Sequence, residues 1–348
     1  MKALEIINAG LQASVQDHGR WGFQEYGVPV CGSVAPYWRI LANHLVGNEA
    51  EAAGIEFRLM GPTLKAVGEP LKIAVCGQVT SELVMKNASG LTTHKIQPWR
   101  SFTLKPDQEL KIGSLEGSAT GFIAVLGGVE TPTIMKSRST YARSQIGNWL
   151  EGGDLLPVGA GEMAEQADCV LPSPPIMPAS PRVRIVWGPQ DDYFDPSEKE
   201  KFLNAPYVIS KASDRMGARL DGAGLKHKAD KGAEIASDGV VLGAIQVPGN
   251  GQPIVLLNDG QTVGGYPKIA TVISSDLHLI ANGLAGMEIS FELVTVREAC
   301  DIARAESQKI EQMKRSIVKA SANGFVDLSA LYESNLIGGV VDMKDPRV

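Results

Sequence analysis

The chain has 348 residues, 44% of them apolar and 21% charged, with a net charge of −6. That length holds two domains of ordinary size, and the acidic balance gives no electrostatic case for nucleic acid or an anionic membrane. Four cysteines (Cys31, Cys76, Cys169, Cys300) and five histidines are scattered without a Cys-x-x-Cys pair or a metal-ligand cluster, so reduced thiols, no metal and a cytoplasmic setting are expected.

Met1 to Gly10 reads as a short strand-like opening, without the basic start and long apolar run of a signal peptide. No segment is apolar for long enough to span a bilayer. Tyr37 to Val46 predicts a helix, with Pro36 suited to its first turn and Gly47 just past its end. Leu71 to Val75 and Phe122 to Leu126 predict strands, each bounded by Gly, Pro, Asn or Ser. The run Leu171-Pro-Ser-Pro-Pro-Ile-Met-Pro-Ala-Ser-Pro181 carries five prolines, which favour an extended, semi-rigid linker. Arg182 to Trp187 predicts a strand and Pro196 to Leu203 a second short helix.

From Val208 to Val272 short β-branched runs (Val240-Val241-Leu242, Ile254 to Leu257) alternate with turns rich in Gly, Asp, Gln, Arg, Tyr and Lys. Such a stretch suits a barrel or sandwich rim, where strands supply the scaffold and turns present reactive groups. Arg297 to Lys319 predicts a charged helix whose Ile302, Ile310, Met313 and Ile317 make one narrow apolar face. A helix docked on its own barrel is favoured over a partner-binding one, and the apolar tail Leu328 to Val341 is expected to dock somewhere. The resulting division is a first β unit over 1–175, a second over 182–296, and a C-terminal helix and tail over 297–348. A faint echo links the halves: Gly121-Phe-Ile-Ala-Val125 resembles Gly243-Ala-Ile-Gln-Val247, and Ser14-Val-Gln-Asp-His-Gly-Arg20 resembles Ser213-Asp-Arg-Met-Gly-Ala-Arg219. The fold class is therefore mainly β, as two related barrel-like units in tandem with a C-terminal helix.

Two chemistries are missing. The chain has no G-x-x-x-x-G-K-[ST] nucleotide loop, and Met85-Lys86 and Met135-Lys136 are only half of a biotin-carrier hairpin. Among the groups present, Arg215 and Arg219 offer planar cationic forks matched to a carboxylate or phosphate. Gln246 and Gln261 carry amides that donate and accept, suited to an amide-like substrate, with Thr262 beside them. Asp259 suits an orienting or basic role. Tyr266 and Lys268 flank Pro267 and suit general acid–base work or oxyanion stabilisation. Each also has a plainer reading, as a turn cap, a structural arginine or a solvent-exposed lysine.

At these residues the chain resembles a known family. V-W-G-P-Q-D-D-Y-F at 186–194, S-D-R-M-G-A-R-L at 213–220, G-A-I-Q-V-P-x-x-G-Q-P-I from Gly243 and D-G-Q-T-V-G-G-Y-P-K-I-A from Asp259 are similar to the allophanate hydrolase subunit 2 family, also called the biotin-dependent carboxyltransferase family. S-V-Q-D-H-G-R-W-G at 14–22 and S-R-S-T-Y at 137–141 fit it as well. The resemblance spans about Leu4 to Leu293 and implies tandem cyclophilin-like β-barrels. It also implies a small amide or lactam substrate and a partner resembling allophanate hydrolase subunit 1 (KipI-like). A further implied partner is a lactamase-like A subunit.

The leading implication is component C of an ATP-dependent 5-oxoprolinase, opening 5-oxoproline to glutamate, without fixing which chain binds ATP. The alternatives are the carboxyltransferase part of a urea or amide carboxylase, with biotin carried by another chain, or a KipA-like antagonist of a kinase inhibitor. The chain departs from the family at Gly32-Ser33-Val34-Ala35, which has no acid, and at Lys136, where a glycine is usual. The second half is therefore expected to carry the chemistry and the first to serve as scaffold or partner surface.

Overall fold

The computed structural model describes residues 2–87, 90–161 and 167–320. In the first half two antiparallel sheets face each other. One runs in the order Leu155–Pro157, Ala3–Asn8, Thr63–Val67, Gln108–Leu115, Val79–Asn87, Gly90–Ile96. The other runs Gln12–Gln16, Gly54–Arg58, Thr120–Val125, Leu71–Cys76, Arg100–Leu104, Cys169–Val170, Val318–Lys319. Leu4, Ile6, Phe57, Ile73, Leu110 and Ile123 fill the space between them.

The strands Leu71–Cys76 and Thr120–Val125 are buried at every position, which explains why Ile73–Cys76 and Phe122–Val125 read as apolar runs rather than as alternations. One face, with Ile73, Val75, Ile123 and Val125, meets the inter-sheet core. The other face, with Ala74, Cys76, Phe122 and Ala124, carries helix α1 (Pro36–Val46) through Trp38, Leu41 and Leu45. Pro36 stands in the first turn of α1 and Gly47 ends it at φ 91°, a conformation that costs glycine nothing.

The second half is a closed barrel. Its order is Arg182–Trp187, Lys268–Val272, Ala244–Gln246, Ile254–Leu256, Gly217–Gly222, Tyr207–Ile209 and Glu288–Leu293, which closes on the first strand in parallel. Helix α2 (Pro196–Asn204) packs on it through Phe202, stacked on Phe291 with centroids 4.6 Å apart. The mainly β architecture and C-terminal helix read from the sequence are present. Val240-Val241-Leu242 is not a strand, however. Pairing passes instead to Asp238–Gly239 with Val263–Gly264, because a turn closed by Gly243 at φ 87° follows and leaves Val241 62% exposed.

Two connections tie the halves together. The proline-rich run is anchored, since Leu171 and Met177 are buried beside α1. Beyond helix α3 (Leu277–Ala281), helix α4 (Val296–Ser316) starts at a reciprocal Thr295–Glu298 cap. It then returns to the first half: Met313 and Ile317 pack on the α1 cluster, and Val318–Lys319 pairs with Cys169–Val170. The helix thus docks on the neighbouring half more than on its own barrel, because α1 offers the apolar surface that its narrow stripe needs. The tail from Leu328 to Val341 lies outside the described residues.

Across the seam, Ala119 N–H donates to the Asn282 carbonyl at 2.9 Å and Thr120 N–H to Asn282 Oδ1 at 2.7 Å. Asn282→Ala strands the buried Thr120 amide and should cost about 1–3 kcal/mol, read from the denaturant midpoint. An unchanged midpoint would mean that this amide finds another acceptor.

Candidate functional site

Where the halves meet, a trough crosses the rim of the barrel. At the barrel end a cavity of about 300 Å³ is lined by Arg219, Gln246, Gln261 and Tyr266 with Arg143 from the first half. It shares Arg143, Asp214 and Met216 with a wider cavity of about 550 Å³ that reaches Arg58, Asn148, Trp149, Arg215 and Asp259. Four arginines thus face one trough.

Strand pleating sets these positions. In Gly217–Gly222, Ala218 and Leu220 point inward while Arg219 points out, as a period of two requires. Asp214 Oδ1 accepts the Met216 and Gly217 amides at 2.8 and 3.2 Å, fixing the turn before the strand. Gln246 is 1% exposed. Its Oε1 accepts from Gln261 Nε2 at 3.3 Å, while its own Nε2 has no partner. Gly264 makes room for that amide, since a Cβ there would run into it. Tyr266 is 40% exposed at the mouth.

Arg215 is spent differently. Its Nε and Nη2 hold both oxygens of Asp259 at 2.9 and 3.0 Å. Nη2 also donates to the Gly32 carbonyl at 2.7 Å, and Nη1 donates to Glu56 Oε1. Glu56 Oε2 in turn accepts the Val34 amide at 2.8 Å. Burial alone would lower the Arg215 pKa, but the Asp259 and Glu56 carboxylates outweigh it and hold the guanidinium above its ordinary value. Burial pushes the Glu56 carboxyl up against the pull of Arg215. The turn Gly32–Ala35, which lacks an acid, is therefore part of the seam itself, and its Val34 packs in the core of the barrel.

Lys268 and Thr262 are placed apart from this group. Lys268 is 3% exposed and its Nζ meets Asp238 Oδ2 at 3.0 Å. The Lys268 ammonium, with the Gly239 amide, pulls the Asp238 carboxyl below its usual range. Lys268 stands two residues from Tyr266, but Tyr266 precedes the strand Lys268–Val272, so strand alternation does not relate the two. Thr262 opens on a separate, mostly apolar cavity of about 430 Å³ beside Trp21 and Val241.

Sequence reasoning missed Glu56, Arg58 and Arg143. No local signal marked Glu56, since a carboxylate between the inward-packed Ile55 and Phe57 reads as the outward position of an alternating strand.

The first half holds a second organised carboxylate. Asp17 accepts from the Ser137 and Ser139 hydroxyls, both at 2.6 Å, and from the Arg138 and Gly19 amides at 2.6 and 2.8 Å. Burial would raise its pKa, but these four donors win and hold it below the ordinary value.

Two outcomes are expected. Arg215→Ala leaves two buried carboxylates uncompensated and should destabilise the fold by about 3–5 kcal/mol. Adding Glu56→Gln and Asp259→Asn should restore much of this in denaturant unfolding, whereas a loss under about 1 kcal/mol in the single variant would mark the joint as solvated. Asp17 is depressed in the fold, so its contribution is complete above its unfolded pKa and is lost as pH falls through the folded one. The stability gap between wild type and Asp17→Asn should therefore narrow below about pH 4. A gap independent of pH would contradict this.

Comparison with known proteins places this geometry. The family model described as carboxyltransferase domain, subdomain A and B, matches residues 26–293. The chain is 35% identical over 327 residues to the 5-oxoprolinase C subunit of Escherichia coli (strain K12), covering 89% of this chain and 97% of that protein. Among solved structures, the K. lactis urea amidolyase superposes with a TM-score of 0.80 at 26% identity, over 92% of this chain and 20% of that one. TTHA0988 superposes with a TM-score of 0.71 at 31% identity, over 84% of this chain. The chain thus spans about half of TTHA0988 and a fifth of the amidolyase. By the span of that match, this chain belongs to the carboxyltransferase domain family, subdomains A and B.

Proposed function

We propose that this chain is the C subunit of a 5-oxoprolinase and works with partner subunits to open 5-oxoproline to glutamate. The observation that carries the reading is the near full-length likeness to the 5-oxoprolinase C subunit. The barrel-end cavity supplies fitting chemistry. 5-Oxoproline presents a carboxylate and a lactam; Arg219 and Arg143 face the first, and the Gln246 and Gln261 amides face the second. The unpartnered Gln246 Nε2 donates to the lactam oxygen in this reading, so that substrate satisfies a buried donor. Tyr266 stands at the mouth to donate to the oxyanion as the C–N bond breaks and water supplies hydroxyl to carbon and a proton to nitrogen. Arg215 and Asp259 act as positioning residues, through the turn that carries Arg219.

ATP belongs to the assembled complex, with partners resembling allophanate hydrolase subunit 1 (KipI-like) and a lactamase-like A subunit. No biotin takes part. The likeness to urea amidolyase and the family description favour one other reading, carboxyl transfer to an amide from carboxybiotin delivered by another chain.

The test is reconstitution with partner subunits. ATP-dependent glutamate formation that is insensitive to avidin is expected, with none from the isolated chain; avidin-sensitive carboxylation of an amide, and no glutamate, would overturn the reading. In the complex, Arg219→Gln should raise KM and Tyr266→Phe should lower kcat. Each loses one charge-assisted or transition-state hydrogen bond, worth roughly tenfold to a hundredfold. Wild-type kinetics in both variants, with assembly intact, would place the chemistry elsewhere.

A further inference from the structure

The trough does not end at the inter-half cavity. Through Asn148, Trp149 and Glu151 it continues into a cavity of about 410 Å³ that lies wholly in the first half. Arg20 forms part of its wall and is 1% exposed. A buried guanidinium is among the costliest groups to leave uncompensated, yet among the described residues Arg20 has no ion pair. Its Nη2 donates to the Ser139 carbonyl, its Nε reaches the Ile134 carbonyl only at 3.5 Å, and its Nη1 has no partner.

The neighbouring groups do not supply the missing charge. Asp17 is saturated by its four donors, and its effect is to pin the 137–139 loop. The Cys31 thiol, a hydrogen-bond neighbour of Arg20, is pushed up to about 12, first by burial and then by Asp259, against the pull of Arg20 and Arg215. It therefore stays neutral at physiological pH.

We propose that this cavity is a second ligand site, in which Arg20 receives the carboxylate of a small molecule. The lining also carries Glu151 and Asp154, which disfavours a polyanion. A single carboxylate with a neutral or cationic remainder, such as glycine or bicarbonate, fits this mixture of charges. The first half then contributes a binding site of its own, open to the same trough as Arg219, whichever reaction the barrel end performs.

Side-chain NMR on the full chain tests this. The Arg20 Nε resonance, assigned with Arg20→Lys, and the Trp149 indole N–H are followed in separate titrations with glycine, bicarbonate and inorganic phosphate. Saturable shifts of both signals with glycine or bicarbonate, and weaker ones with phosphate, are expected, and they should persist in Arg219→Gln. Arg20→Lys, if folded, should weaken binding by about tenfold or more in calorimetry; if it does not fold, the wild-type titration decides alone. No shift at Arg20 with any probe, preference for phosphate, or loss of the response in Arg219→Gln would each overturn the proposal.

Discussion

The interaction on which this architecture depends is the buried joint at Arg215. One guanidinium binds Asp259 of its own barrel, Glu56 of the first half and the carbonyl of Gly32. Arg215 keeps Asp259 within its own barrel, so the contact that crosses between the halves is the one to Glu56, whose buried carboxylate would be left uncompensated if that cation were removed in place. Specific geometry follows from this. Val34, beside the joint, enters the core of the barrel, and the Cys31 amide bonds the Asn258 carbonyl at 2.7 Å. The rest of the seam, Asn282 with Thr120 and α4 with α1, closes around the same contact.

A trough between two units can hold a small molecule only if its walls stay in register. Arg143 and Trp149 come from one half, Arg219, Gln246 and Tyr266 from the other. Their distances are set by the joint, whose members also lie in the trough wall. This gives Arg215 and Asp259 a role through placement: the fork that suits a substrate carboxylate is already occupied by protein carboxylates. Arg219, without an ion pair among the described residues, is left to meet a ligand, while Arg143 beside it is held by Asp214 at 3.2 Å.

Much of this was legible in the chain. Pro36 and Gly47 bracket α1, the doubly buried strands show as apolar runs, and the polar turns after Val208 include four residues that share one cavity, Arg219, Gln246, Gln261 and Tyr266. What escaped is long-range or local irregularity. Glu56 and Arg215 are 159 positions apart, and no pattern within either segment announces the other. Tyr266 lies in the turn before the strand Lys268–Val272, so a period of two gave no guide to Lys268, which meets Asp238 instead. The target of α4 depended on which half offered an apolar face, which its own stripe could not specify. The missing acid near Val34 pointed to a scaffold role for the first half, and the main-chain groups there serve the joint.

The central claim is that Arg215 holds the two halves in register. Amide hydrogen exchange in Arg215→Met measures this most directly. The account predicts faster exchange at Cys31, Ser33, Val34 and Asp259, whose amides bond across or beside the seam, while Ile73–Val75 and Ala270–Val272 within the two cores keep their protection. Unchanged exchange along the seam, or an equal loss of protection in both cores, would contradict it.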